Sequence, residues 1–257
     1  MSATLLIEMG NSAWKLAQWQ PNGTLQFLQK GYDISALEHW LRTQVQPATY
    51  QAAALACVGS EANIIRLQQF FQHEPATQGI PLQVARTTEG YGITHVYAQP
   101  ETLGVDRWLT LLAAKAAHTA AIIIDAGTAI TLDAISQDGR HYGGWIAPGL
   151  RLMQEALVQR SNRLKMLPAD TTVDSAETLG TATETAIWLG CKASLQGFTE
   201  QAIATAKQAL GEHSSIAIWC TGGDMAHINM AAYPGAEQRP HLVLEGLAQW
   251  LANTPTR

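Results

Sequence analysis

The 257-residue chain predicts an α/β fold made of two halves built to one plan. Two observations carry that reading. The segments Leu5-Leu6-Ile7-Glu8-Met9-Gly10-Asn11-Ser12 and Ile122-Ile123-Ile124-Asp125-Ala126-Gly127-Thr128-Ala129 share one pattern, in which an apolar strand ends in a carboxylate, followed by one residue, a glycine and small polar residues. The order of elements after the first loop then returns after the second. In such a loop the glycine lets backbone approach a ligand, the hydroxyl or amide can bond a phosphate oxygen, and the acid can hold a cation beside it. Neither loop carries Gly-Lys-Ser/Thr, so nucleotide phosphates are expected between two hairpins rather than at one helix N-terminus.

In the first half, residues 4–8 read as a buried strand and 14–19 as the next, with Pro21-Asn22-Gly23 turning the chain into a third strand at 24–29. Leu37, Trp40, Leu41 and Val45 have helical spacing over 35–45. A strand at 52–58, a helix from about 61 to 71 and a strand at 81–85 complete the half. The second half starts again with strands at 120–125 and 129–136, an Asp138-Gly139 turn, a strand at 140–146, then helices and a strand at 215–220. Between them, Leu103 to His118 fits a helix expected to hinge two lobes, 1–117 and 118–257. Ala176 to Ala209 reads as one long helix, rich in Ala and Leu, in which Gly180, Gly190 and Gly197 mark kinks or close crossings. Its length points to packing between subunits. Ser161 to Asp174 is polar and aperiodic and is expected to be a loop or substrate lid.

Composition narrows the function. With 47% hydrophobic residues the chain can build a large core, and a net charge of -5 without a Lys/Arg run gives no footprint for nucleic acid or an anionic membrane. Cys57, Cys191 and Cys220 are widely spaced, so reduced core thiols are expected rather than disulfides or a zinc ribbon. The histidines have no metal-ligand spacing. Met1-Ser2-Ala3-Thr4 runs into a strand without a basic leader, and no apolar run reaches about eighteen residues, so a cytoplasmic protein is expected.

Within 121–133, Asp125, Thr131 and Asp133 share a parity opposite Ile122, Ile124 and Leu132, giving an apolar strand pair one polar face. That face needs a ligand or solvent, and Asp133 reads equally as a solvated strand residue. Asp106-Arg107 at a helix start reads by itself as a capping ion pair. Thr221-Gly222-Gly223-Asp224 reads by itself as a strand-to-helix turn.

Taken in order, Gly10-Asn11-Ser12 with Lys15, Gly104-Val105-Asp106-Arg107, Asp125 to Asp133, Gly143-Gly144-Trp145-Ile146-Ala147-Pro148-Gly149 and Thr221 to Asp224 resemble type III pantothenate kinase over nearly the whole chain. The resemblance implies a duplicated actin/hexokinase-like (ribonuclease H-like) fold, two lobes with mixed sheets flanked by helices, and a homodimer. It implies phosphorylation of pantothenate by ATP, the first step of coenzyme A biosynthesis, with Mg2+ and a monovalent cation, K+ or NH4+. Asp106 would be the general base. Tyr97, Gly104, Val105, Arg107 and Thr183 would hold pantothenate, with Thr181 and Thr185 close enough in sequence to compete for the last role. Glu8, Gly10, Asn11, Ser12, Lys15, Thr128, Gly222, Gly223 and Asp224 would hold ATP, and Asp125 the monovalent cation.

One position departs from the family pattern. Its first motif begins with Asp, whereas Glu8 is a methylene longer, which moves the carboxylate by about a bond length and changes how it reaches magnesium through water. A kinase of another small alcohol and a non-catalytic nucleotide-binding protein of the same fold remain as alternatives.

Overall fold

A computed structural model describes residues 2–160, 165–167, 179–211 and 215–254. The chain divides into two compact units, Met1–Thr119 with Gln137–His141 and His241–Arg257, and Ala120–Ser136 with Tyr142–Pro240. The first holds β1 (Ala3–Met9), β2 (Trp14–Trp19), β3 (Leu25–Gly31), α1 (Ile34–Gln44), β4 (Tyr50–Cys57), α2 (Glu61–His73), β5 (Leu82–Val84) and α3 (Val105–Ala116). The second holds β6 (Ala120–Ala126), β7 (Ala129–Ile135), β8 (His141–Pro148) from its second residue, α4 (Leu150–Gln159), α5 (Thr183–Leu210), β9 (Ile216–Thr221) and β10 (Glu237–Gln238). The closing helix, α6 (Leu242–Asn253), belongs to the first unit.

The duplication is explicit in the sheets. Their orders are β3-β2-β1-β4-β5 and, read from the matching edge, β8-β7-β6-β9-β10. Each carboxylate-bearing strand pairs antiparallel with the next strand, β1 with β2 and β6 with β7. Each also pairs parallel with the strand that follows a helical crossover, β1 with β4 and β6 with β9. This is the α/β architecture of two mixed, helix-flanked sheets that the sequence predicts.

Burial on both faces explains why β1 and β6 read as continuous apolar runs rather than alternating ones. On one face of the first sheet, Leu5, Ile7, Leu16, Ala53 and Leu55 form a core with Leu37 and Leu41 of α1 and Ile64, Leu67 and Phe71 of α2. Thr4, Leu6 and Glu8 take the opposite face. In the second sheet, Ile122, Ile124, Ile130, Leu132 and Cys220 pack on Cys191, Leu195, Ala202, Ile203, Ala206 and Leu210 of α5. With buried Thr199 between Leu195 and Ala202, these residues follow one another at helical spacing and form one stripe along a helix of 28 residues and about 42 Å.

Several expectations change. α3 lies wholly within the first unit, and α6, which the 117/118 division puts in the second half, packs there against it. A Cβ at Gly246 would stand 1.9 Å from the Leu109 carbonyl oxygen, so the α3 and α6 backbones touch where only glycine fits. Among the described residues, Gly190 and Gly197 mark no close crossing, since a Cβ at either would meet nothing within 4 Å. Asp133 is 2% exposed rather than solvated, because the second face of β7 is also covered. Trp108, beside the Asp106 motif, is a fully buried core residue that meets Tyr91 edge-on. The expected lid, Ser161 to Asp174, lies outside the described residues except for 165–167, as do residues 176–178 of the expected long helix.

Candidate active site

In the first unit the β1–β2 loop is closed by the Gly10 N–H, which donates to the Ala13 carbonyl at 2.9 Å. Asn11 and Ser12 sit exposed at its tip. Register places Lys15 of β2 opposite Glu8 of β1 and Lys30 of β3 opposite Lys15, a row of charge across three strands on one face. The Lys15 ammonium donates to both Glu8 oxygens, at 3.2 and 3.3 Å. Burial pushes the Glu8 carboxyl above its ordinary range, Lys15 draws it back, and the negative charge of Asp106 raises it further. Glu8 and Asp106 therefore share one local field.

Asp106 and Arg107 are the second and third residues of α3, after Gly104 and Val105. The Asp106 Oδ1 accepts the Arg107 backbone N–H at 2.8 Å. A Cβ at Gly104 would stand 2.6 Å from that same Oδ1, so a side chain there would push the carboxylate out of this position. Arg107 is 7% exposed, and its Nη1 donates to the Tyr97 hydroxyl at 3.2 Å with the guanidinium 5.9 Å from the ring centroid. Tyr97 lies in an irregular stretch before the 3-10 turn Pro100–Thr102, not on a strand. Glu8 with Lys15, and Tyr97 with Gly104, Val105, Asp106 and Arg107, thus form two linked groups within one unit, and the charge of Asp106 acts on Glu8.

The second unit builds a matching corner. Its β6–β7 loop is closed by the Gly127 N–H, which donates to the Ala129 carbonyl at 3.0 Å. Two other loops abut it. Gly149 donates to the Thr128 carbonyl at 2.9 Å, and a Cβ there would stand 2.1 Å from the Gly127 oxygen. Gly222, at φ 99, would put a Cβ 2.3 Å from the Ala126 oxygen, so both close approach and backbone sign require glycine. Gly223 and Asp224 open a 3-10 turn, Gly223–His227, in place of the helix expected.

Asp125 stands in register between Thr131 of β7 and Thr221 of β9, which puts the carboxylate and two hydroxyl side chains on one sheet face. An oxygen-only set of this kind suits a hard cation. Thr221 was not legible as Asp125's neighbour, since parallel pairing of β6 with β9 spans almost a hundred residues. Among the three threonines before α5, the Thr185 hydroxyl is engaged in the helix start, accepting from the Ala182 N–H at 3.2 Å and donating to its carbonyl at 2.9 Å. Thr183 is exposed at the first helical position. Among the described residues no cluster of three or more acids, histidines or cysteines is placed to hold a metal ion.

The family model of type III pantothenate kinase matches residues 4–205, every loop above except that at 221–224. The chain belongs to the type III pantothenate kinase family. A type III pantothenate kinase of Stenotrophomonas maltophilia is 33% identical over 253 residues, covering 97% of this chain and 98% of its own. That of Halorhodospira halophila is 33% identical over 257 residues, covering 96% of each. Among solved structures, a Campylobacter jejuni protein placed in the Baf family of transcriptional activators superposes with a TM-score of 0.57 at 20% identity, covering 96% of this chain and 97% of its own. That likeness concerns the fold alone. Family membership and the two repeated sheets together make the fold actin/hexokinase-like.

Proposed function

We propose that the chain transfers the γ-phosphoryl group of ATP to the primary hydroxyl of pantothenate, giving 4'-phosphopantothenate and ADP, with Asp106 as base. The observation that carries the assignment is the glycine-cleared carboxylate of Asp106 at the start of α3, in one field with Glu8 and beside the buried Arg107. As the pantothenate oxygen bonds to the γ-phosphorus, the bond to the β–γ bridging oxygen breaks and Asp106 takes the hydroxyl proton. Phosphoryl transfer depends mainly on positioning and charge neutralisation, and a base contributes typically about 10² to 10⁴-fold. Lys15 supplies positive charge toward the phosphates, with Gly10, Asn11, Ser12, Thr128, Gly222, Gly223 and Asp224 as further ATP contacts. Tyr97, Gly104, Val105, Arg107 and Thr183 hold pantothenate.

Glu8 fits a water-mediated contact to magnesium, because its carboxylate, paired with the Lys15 ammonium, stands at the end of β1 where the loop to β2 begins. Magnesium, when bound, neutralises charge on the phosphate oxygens. Asp125 with Thr131 and Thr221 fits a monovalent cation, K+ or NH4+, for the same purpose.

The chain is further proposed to work as a homodimer in the cytoplasm, without nucleic acid or membrane partners. The net charge of -5 supports this, and no helix among the described residues is long and apolar enough to cross a membrane. A coupled assay of ADP release across small alcohols, in potassium and in sodium at equal ionic strength, tests the whole reading. Turnover with pantothenate that falls sharply in sodium is expected. Equal rates in both salts would reject the cation site, turnover only with another alcohol would reject the substrate, and nucleotide binding without any turnover would reject the kinase.

A further inference from the structure

The assignment of Tyr97 and Arg107 leaves unexplained how a tyrosine on an irregular segment keeps its place. Residues 95–99 belong to no helix or strand. On one side the Tyr97 hydroxyl accepts from Arg107. On the other lies His141, the first residue of β8, with its ring centroid 5.8 Å from that of Tyr97 and tilted by 47°. His141 is 1% exposed, an uncommon degree of burial for a histidine.

Its backbone is anchored to the same segment. The Thr94 N–H donates to the Gly139 carbonyl and the His141 N–H donates to the Thr94 carbonyl, each at 3.0 Å. Gly139, at φ 97, makes that approach possible, because a Cβ there would stand 2.0 Å from the Gly92 oxygen and 3.0 Å from the Lys115 Cδ. Residues 137–141 accordingly group with the first unit, although β7 and the rest of β8 do not. A second histidine, His95, meets the His141 ring edge-on at 6.4 Å, with its Nε2 3.3 Å from the Thr88 carbonyl.

We propose that His141 is a positioning residue for the acceptor substrate: its ring, carried on the 137–141 hairpin tip, fixes Tyr97, and through the Tyr97 hydroxyl the Arg107 guanidinium. The proposal rests on the reading that Tyr97 and Arg107 hold pantothenate. His141 is not assigned a contact with either substrate and acts through Tyr97. Its removal therefore raises the KM for pantothenate and spares both the KM for ATP and kcat at saturation. An aromatic pair of this kind is worth a loss of roughly three- to tenfold.

The test compares His141→Ala, His141→Phe, Tyr97→Ala and the His141→Ala/Tyr97→Ala double variant, with kinetics for each substrate and hydrogen exchange over residues 94–99 without substrate. His141→Ala is expected to raise the pantothenate KM roughly three- to tenfold, with the ATP KM and kcat within about twofold, and to speed exchange over 94–99. Phe, which keeps a ring, should recover most of the affinity. In the Tyr97→Ala background the second substitution should add nothing. Unchanged exchange in His141→Ala overturns the positioning itself, even in an active pantothenate kinase. Equal losses for both substrates, or additive losses in the double variant, overturn it in favour of a general packing role. Should His141→Ala fail to fold, His141→Leu against His141→Phe makes the same comparison of apolar bulk with a ring. If the unsubstituted chain releases no ADP with pantothenate, the proposed function falls and the substrate role of His141 falls with it, while the exchange data still decide whether His141 holds the segment.

Discussion

At the scale of single residues, Glu8 and Asp106 illustrate two ways of keeping a carboxylate in a folded protein. Glu8 is held against its preference, since burial raises its pKa more than Lys15 restores it. A raised carboxyl binds its proton more tightly in the folded state than in the unfolded chain. It therefore favours folding below the ordinary carboxylate range, and that contribution is lost as pH rises through the folded value. Glu8→Gln carries no charge at any pH, so its melting temperature relative to the unsubstituted chain should climb from about pH 4 towards neutrality. A flat difference across that range would remove burial as the dominant influence on Glu8. Asp106, by contrast, is accommodated by the missing Cβ of Gly104 and by the Arg107 N–H, which an Asn Oδ1 can accept equally well. Asp106→Asn should then keep its melting temperature within a few degrees while kcat falls by about 10² to 10⁴. A large fall in melting temperature with near-native kcat would mark Asp106 as a helix cap only. The residue types of both corners were legible in the sequence, because a carboxylate, a glycine and a hydroxyl in that order carry their chemistry locally. The neighbours Thr221 and His141 were not, because cross-strand register and a docked hairpin tip place them, and neither leaves a trace in local spacing.

At the scale of elements, legibility followed exposure pattern. Helix α1 could be read because Leu37 and Leu41 are buried beside exposed residues, and β1 and β6 because unbroken apolar runs of that length mark doubly covered strands. Helix α6 could not. Leu242, Val243, Leu244, Gly246, Leu247, Ala248 and Trp250 are all buried, so the helix is covered nearly all round and has no stripe for a period of 3.6 to reveal. β10, only two residues long, is too short for any period. The α3–α6 contact matters for the site because α3 carries Asp106 and Arg107 at one end and rests on α6 along its length. Gly246→Ala should force the two helix backbones apart, costing about 1 to 3 kcal/mol as an overpacking change and several degrees of melting temperature. Kinetics of the surviving folded fraction are expected to show a loss of kcat as well, since the helix that aims Asp106 must move. A variant as stable and as active as the unsubstituted chain would show that α6 yields without disturbing α3.

For the whole molecule, the duplication was visible in sequence because both strand-end loops are built from the same local parts, an acid, a glycine and small polar residues. What each unit adds to that common plan is its own: α3 with its acid and arginine in the first, the long α5 in the second. The second unit also exposes several large apolar side chains. Ile146 is 63% exposed, Leu179 82%, and Trp145, Leu152 and Leu157 are also exposed. They come from β8, α4 and the approach to α5, and Trp145 meets Phe198 of α5 edge-on. Several large apolar side chains exposed in one unit are what a partner surface would cover, and a second copy is the occupant proposed for this chain. The expected outcome is a dimer by sedimentation, with Ile146→Glu combined with Leu157→Glu shifting it to monomer while each chain keeps its circular dichroism. If Thr183 serves the pantothenate site from that interface, the monomer should lose affinity for pantothenate more than for ATP, and specific activity of the unsubstituted chain should fall on dilution below the dimer constant. A fully active monomer would confine the interface to stability and return Thr183 to an ordinary exposed helix start.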